Sequence, residues 1–190
     1  FEHCGVWHER LFNGDMLQHQ NPYMQGLEPI VLDEKRKKDK HEPVNEEEEM
    51  QPRCLVGGLS WVTVRSRGDC AVTVHWLQSY MHKAKIHHVL KANKLVRHLQ
   101  NTPQVQMRHP GGGIPNARVT GIMDAAVGNR EDMYSQGGSL VCTTDSKSEN
   151  GVCAPLYWKT RKIPTQCESS TEAETKQSVH CRKSTLHVND

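Results

Sequence analysis

Val119-Thr120-Gly121-Ile122-Met123-Asp124, then Ser135-Gln136-Gly137-Gly138-Ser139-Leu140-Val141-Cys142, then Pro155-Leu156-Tyr157-Trp158-Lys159, and last Ser169-Ser170-Thr171-Glu172-Ala173-Glu174: the order of these four runs decides the fold. The first three are short and apolar or aromatic, and polar turns at Arg130–Tyr134 and Asp145–Asn150 separate them. That pattern predicts three strands joined as an antiparallel meander. The fourth run reads as a helix start, because Thr171-x-x-Glu174 has the spacing of a capping box. Asp124 ends the first strand beside the small Ala125-Ala126, and Glu174 falls in the first helical turn. The expected class is α+β.

Upstream of the meander, Pro103, Pro110, Gly111-Gly112-Gly113 and Pro115 mark a boundary, so residues 111–117 read as a Gly/Pro linker. The glycines lack the Lys-Ser/Thr tail of a phosphate loop. Before them, residues 54–110 are expected to be helical. Leu55–Val64 is apolar, with Gly57-Gly58 permitting close backbone packing. Two helices follow, Ala71–Met81 and Lys85–Asn101. In the second, Ile86, Val89, Leu90, Ala92, Val96 and Leu99 recur at spacings of three and four. Its other faces carry Lys85, Lys91, Lys94 and Arg97, and His87-His88 is expected to face solvent or phosphate.

Residues 1–53 read as a polar, partly disordered leader. Trp7, Leu11, Phe12, Met16 and Leu17 are loosely spaced as one helical face, which Asn21-Pro22 would end. Asp33–Met50 is a charge block with almost no apolar side chains, from Lys35-Arg36-Lys37-Lys38 to Glu46-Glu47-Glu48-Glu49, and it cannot repay ordering entropy by burial. The whole chain is lean, with 35% hydrophobic and 5% aromatic residues over 190 positions. Its opening, Phe1-Glu2-His3-Cys4, has no charged-then-apolar leader, and no apolar run nears the roughly 18 residues of a membrane span. An internal piece of a longer intracellular protein, cytoplasmic or nuclear and not secreted, is expected.

Charge is segregated despite a formal net charge of +2. Residues 1–53 hold twelve acids against seven bases, whereas Cys70–Met123 holds seven Lys or Arg, six His and no acid. Such a segment repels itself unless an anion lies alongside, and nucleic acid is the commonest anion of that kind. Seven scattered cysteines without a Cys-x-x-Cys pair argue for reduced, structural thiols, and His3, Cys4 and His8 lack a second ligand pair. No Gly-x-Ser-x-Gly elbow or Cys–His setting supports a nucleophilic enzyme.

Carboxylates from a strand and a nearby helix are what metal-assisted phosphodiester hydrolysis needs, since they converge on Mg²⁺ that holds phosphate and activates water. Asp124-Ala125-Ala126, Ser135-Gln136-Gly137-Gly138, Trp158-Lys159-Thr160-Arg161-Lys162 and Ser169-Ser170-Thr171-Glu172-Ala173-Glu174 together resemble the ribonuclease H region of copia-type retrotransposon Gag-Pol polyproteins. Leu55-Val56-Gly57-Gly58-Leu59, Arg67-Gly68-Asp69 and Leu95-Val96-Arg97-His98-Leu99-Gln100-Asn101-Thr102 resemble the segment that joins its reverse transcriptase to that region. The resemblance covers roughly Leu55–Val179.

It implies an incomplete ribonuclease H-like fold over residues 118–190, a three-stranded antiparallel meander plus the start of the first helix, preceded by a helical connection segment. It also implies cleavage of RNA in RNA–DNA hybrids with Mg²⁺ on Asp124 and Glu174, Glu172 facing elsewhere. The expected partners are a hybrid or other nucleic acid and the rest of the polyprotein, with no membrane. Several departures point to a catalytically incomplete or decayed copy. The family draws further acids from a later strand and helix, and the chain reaches Asp190 before them. His180–Asp190 does not read as the continuation of an apolar helix, Val127 stands where an aromatic is usual, and no Tyr-x-Asp-Asp polymerase motif occurs. The alternative is a basic nucleic-acid-binding module without catalysis, with Lys85, Lys91, Lys94 and Arg97 as its contacts.

Overall fold

A computed structural model describes residues 1–147 and 153–189, so the later part of the turn expected over Asp145–Asn150 and the terminal Asp190 lie outside the described residues. Mixed α and β structure is present, with antiparallel sheets. No described helix is long and apolar enough to cross a membrane. The chain divides into two units, Phe1–Trp7 with His19–Gln106, and His8–Gln18 with Met107–Asp190.

The first unit is helical. Its main helices are α3 (Met50–Arg65), α4 (Ala71–Tyr80) and α5 (Ile86–Asn101), with the short α1 (Asn21–Gln25) and α2 (Glu34–Lys38) before them. Leu55, Val56, Leu59 and Val62 of α3 meet Val74 and Leu77 of α4 and Ala92, Leu95, Val96 and Leu99 of α5 in one buried cluster. Spacings of three and four put each set on one face, and burying a full side chain of this type contributes about 1.5–3 kcal/mol. Thr102 precedes Pro103 and leaves helical geometry, at φ −126 and ψ 50, which stops α5.

Residues 1–53 correct the expected leader. Met24 is only 1% exposed and belongs to the same cluster. Asn93 reads the backbone of Ile30 in both directions, its Oδ1 accepting from the N–H at 2.8 Å and its Nδ2 donating to the C=O at 2.7 Å. Gln100 Nε2 donates to Leu27 O at 2.8 Å. Polar side chains of α5 therefore anchor this stretch, a device that hydrophobic periodicity does not register. The charge block is anchored too. Val44 N donates to Ala84 O and Ile86 N to Glu42 O, both at 3.0 Å, while Arg36 meets Glu48 at 2.8 Å. The helix expected through Trp7–Leu17 is instead β2 (Val6–Arg10) and β3 (Met16–His19), parted by the turn at Gly14, whose φ of +89 favours glycine. In the first unit the short β1 (Glu2–His3) pairs antiparallel with the start of β2.

Gly57 and Gly58 sit inside α3, where glycine costs about 1 kcal/mol relative to Ala. A Cβ on Gly58 would stand 3.0 Å from the Tyr23 hydroxyl and 3.3 Å from Leu27, so that glycine accommodates the N-terminal stretch. Gly57 is exposed and meets nothing within 4 Å. Gly57→Ala is therefore expected to raise stability by about 0.5–1 kcal/mol, read as a higher urea midpoint at unchanged slope.

In the second unit β3 pairs antiparallel with β4 (Met107–His109), and Asp15 accepts from Gly111 N at 3.0 Å. The meander follows as β5 (Ala117–Ala126), β6 (Gln136–Asp145) and β7 (Cys153–Lys162), in spatial order β5-β6-β7. Each strand runs past the apolar residues that announced it. An irregularity lies at Val141/Cys142 on the β7 side. Helix α6 (Ser170–Asn189) packs on β5 and β6. It continues through His180 to Asn189, where the sequence does not read as an apolar helix, because a short inward row is enough to dock it: Ala173 and Gln177 are fully buried and Cys181 is 5% exposed.

Candidate functional site

The pleat of β5 decides where Asp124 points. A Cβ on Gly121 would meet Cys181 Sγ of α6 at 2.9 Å, and one on Gly137 would meet Gln177 Cδ at 2.7 Å. Gly137 pairs with Ala125 and Gly121 with Val141, so Gly121, Met123 and Ala125 share the face that α6 covers. Side chains alternate along a strand. Asp124, opposite Gly138, therefore projects from the other face, where it is exposed and its Oδ1 accepts from Ala125 N at 2.8 Å.

Glu174 is exposed on α6. The cap forms two residues earlier than Thr171-x-x-Glu174. Ser169 Oγ accepts from Glu172 N at 3.2 Å, and Glu172 Oε2 accepts from Glu168 N at 2.9 Å. Glu172 also pairs with Lys176, and that bond holds its carboxyl below the ordinary range. Glu172 thus takes the cap role, and Glu174 is left out of it. Asp124 and Glu174 belong to no group of three metal-capable side chains among the described residues. Asp124 projects from the face that α6 leaves uncovered, while Glu174 rides on α6 itself, so the fold does not aim the two carboxylates at each other across the α6–sheet interface.

A more ordered polar assembly lies at the β5–β6 turn. Arg130 is 3% exposed, and its guanidinium donates to Gln136 Oε1 at 2.7 Å and to Asp132 Oδ1 at 3.2 Å. Lys162 of β7 reaches Asp132 at 2.8 Å while lying 3.5 Å over the Tyr134 ring. Burial alone would raise the Asp132 carboxyl, but Lys162, the Tyr134 N–H and Arg130 hold it below the ordinary value. In the sequence, Arg130–Tyr134 reads only as a polar turn. The assembly fastens that turn to the third strand, a tertiary contact without a local signature.

The basic residues separate into two places. Lys91, Lys94 and Arg97 follow one another at three-residue steps along the exposed side of α5, opposite its buried face. Lys91 lies 3.8 Å over the Trp76 ring. Lys85 instead stands at the head of the helix, where its N–H donates to His88 Nδ1 at 2.9 Å and its backbone bridges to Pro43. His88 is a correction: it is 1% exposed and stacks at 5.1 Å on Tyr80, because its ring serves as the helix cap.

Two histidines of the second unit give it a pH response. Burial lowers His109, aided by nearby His8, and burial lowers His180, aided by Arg161, Lys159 and Lys183. Each folded value lies below the 6.5 of the free side chain, so the unfolded chain takes up protons first. The stabilisation is complete above that value and is lost as pH falls toward the folded ones. Thermal melts from pH 7.5 to 5 should show falling stability, with a shallower fall in His180→Gln. An unchanged slope in that variant would contradict the assignment.

No family model matches the chain, and no curated protein or solved structure matches it.

Proposed function

We propose that the chain derives from the ribonuclease H region of a copia-type retrotransposon polyprotein, that it does not cleave RNA–DNA hybrids, and that it holds nucleic acid on the outer side of α5. What supports the ancestry is the order of elements: a strand bearing Asp124, two antiparallel partners, then a helix opened by Ser169-Ser170-Thr171-Glu172-Ala173-Glu174. What supports the loss of cleavage is the placement of Asp124 away from the face that α6 covers. Mg²⁺-assisted attack on a phosphodiester needs acids that converge, so no step is assigned to the ion here. The acid-free run from Cys70 to Met123 and the row Lys91, Lys94, Arg97 support the binding role. The alternative reading, a basic nucleic-acid-binding module without catalysis, shares that row.

Incubation of the purified chain with a labelled RNA–DNA hybrid and Mg²⁺ should give no cleavage above the blank, and Asp124→Asn should change nothing. Cleavage that Asp124→Asn abolishes would overturn the inactive reading. Hybrid binding should weaken with salt through counterion release. If the three side chains each meet one phosphate, raising salt from 50 to 200 mM should cost about 40-fold in affinity. Replacing all three by Ala should flatten that dependence, and binding that keeps its salt slope in the triple variant would remove α5 as the contact.

A further inference from the structure

Between α3 and α4 the chain turns through Ser66-Arg67-Gly68-Asp69-Cys70, a segment too short to do more than reverse direction. The reversal brings Asp69 and Cys70 beside His98 in the last turn of α5. One ligand atom from each of Asp69, Cys70 and His98 lies within 4.8 Å of the other two. We infer that this carboxylate, thiol and imidazole form a three-ligand site for a divalent transition metal of the zinc class, completed by solvent.

The chemistry of the donor set selects the ion. Sulfur and imidazole nitrogen suit Zn²⁺ and disfavour Mg²⁺ or Ca²⁺, which take oxygen. With bonds of about 2.0–2.3 Å, donors on a tetrahedral zinc stand about 3.3–3.8 Å apart, so small side-chain rotations close the site. The proton of the Cys70 thiol already occupies the intended place, since Sγ donates to Asp69 Oδ2 at 3.4 Å. On binding, the S–H bond breaks, its proton leaves to solvent, and the sulfur keeps the electron pair for the bond to the metal. A bridge through the ion then replaces the S–H···O contact.

Arg67 is the main competitor and also the support. Its guanidinium donates to both Asp69 oxygens, at 2.9 and 2.8 Å, which engages one lone pair on each and leaves the others available. Asp69 is thereby held in place as a ligating carboxylate is held by an outer partner. Thiolate, carboxylate and neutral imidazole cancel the charge of a divalent ion, so the buried Arg67–Asp69 pair is not left facing a naked charge. Burial pushes the Cys70 thiol up to about 12, so the metal must displace a reluctant proton and moderate affinity is expected. Asp69 keeps 42% of its side-chain surface and His98 is exposed, which gives the ion an entry path and a place for solvent.

Titration of the full chain with Co²⁺ tests the site. A thiolate-to-cobalt absorption band in the near ultraviolet should rise with one-to-one stoichiometry, and Zn²⁺ should abolish it. His98→Ala, on an exposed helix face where folding is not at stake, should weaken Co²⁺ binding at least tenfold. Cys70→Ser should remove the band. The surface pair Cys4 and His3, 3.6 Å apart, is the natural rival, and Cys4→Ser should leave the band intact. No band in the unaltered chain, or a band that His98→Ala leaves at full strength, overturns the proposal even if Cys70→Ser does not fold.

Discussion

Arg67→Met is expected to destabilise the helical unit by about 3 kcal/mol, near the lower end of the 3–5 kcal/mol that breaking a buried ion pair costs. The side chain is fully buried and joins four groups. Two nitrogens meet the Asp69 carboxylate, one donates to Thr102 O at 3.2 Å and another to Thr102 Oγ1 at 3.0 Å, and the guanidinium touches Met24 Sδ at 3.9 Å. One residue thus ties the α3–α4 turn, the end of α5 and α1 together. Methionine fills most of the volume but leaves the Thr102 carbonyl without this donor and Asp69 without its counter-charge. The lower end applies because Asp69 is partly exposed and water can partly replace the partner.

Arg67→Lys should fall between, since an ammonium cannot span both carboxylate oxygens and the Thr102 carbonyl at once. Asp69→Asn combined with Arg67→Met should recover part of the loss, because no uncompensated charge remains. Urea melts followed by helical circular dichroism measure all three. A midpoint for Arg67→Met equal to that of the unaltered chain would show that the guanidinium is not what joins these elements. The pair also has a pH signature. Burial by itself raises the Asp69 carboxyl, but Arg67 overrides it and the net value is lowered. Its contribution is therefore complete above the ordinary carboxylate value and lost as pH falls through the folded one.

The weight of Arg67 is not legible in Arg67-Gly68-Asp69, although the tripeptide resembles part of a connection segment. Its weight comes from Thr102, thirty-five positions away in sequence. The same holds for Met24 and for Asn93, which join parts of the chain that carry no common pattern. By contrast α5 and the three strands were readable, because one buried face repeats at the period of the element. The carboxylates fall between. Asp124 at a strand and Glu174 at a helix start follow from local pattern, but their separation depends on which face α6 covers. Strand alternation supplies the parity, and only the register of α6 on β5 and β6 supplies the side.

That register makes the second large prediction a contrast between two neighbouring glycines. Gly137→Val should disrupt the docking of α6, whereas Gly138→Val should be tolerated. A Cβ on Gly137 enters the space of Gln177, 2.7 Å from Cδ and 3.2 Å from Cγ, and Gln177 is fully buried with its Oε1 accepting from Arg161 at 3.4 Å. The two methyls of valine extend the overlap, and overpacking of this kind typically costs about 1–3 kcal/mol, here at the upper end because Gln177 has no vacant direction. A Cβ on Gly138 meets nothing within 4 Å, and valine suits a strand. Thermal melts and amide exchange along Ser170–Asn189 distinguish the two. If Gly138→Val were the disruptive change, α6 would lie on the face that carries Asp124. Asp124 and Glu174 would then share a side, and the case for a silent ribonuclease site would fail with it.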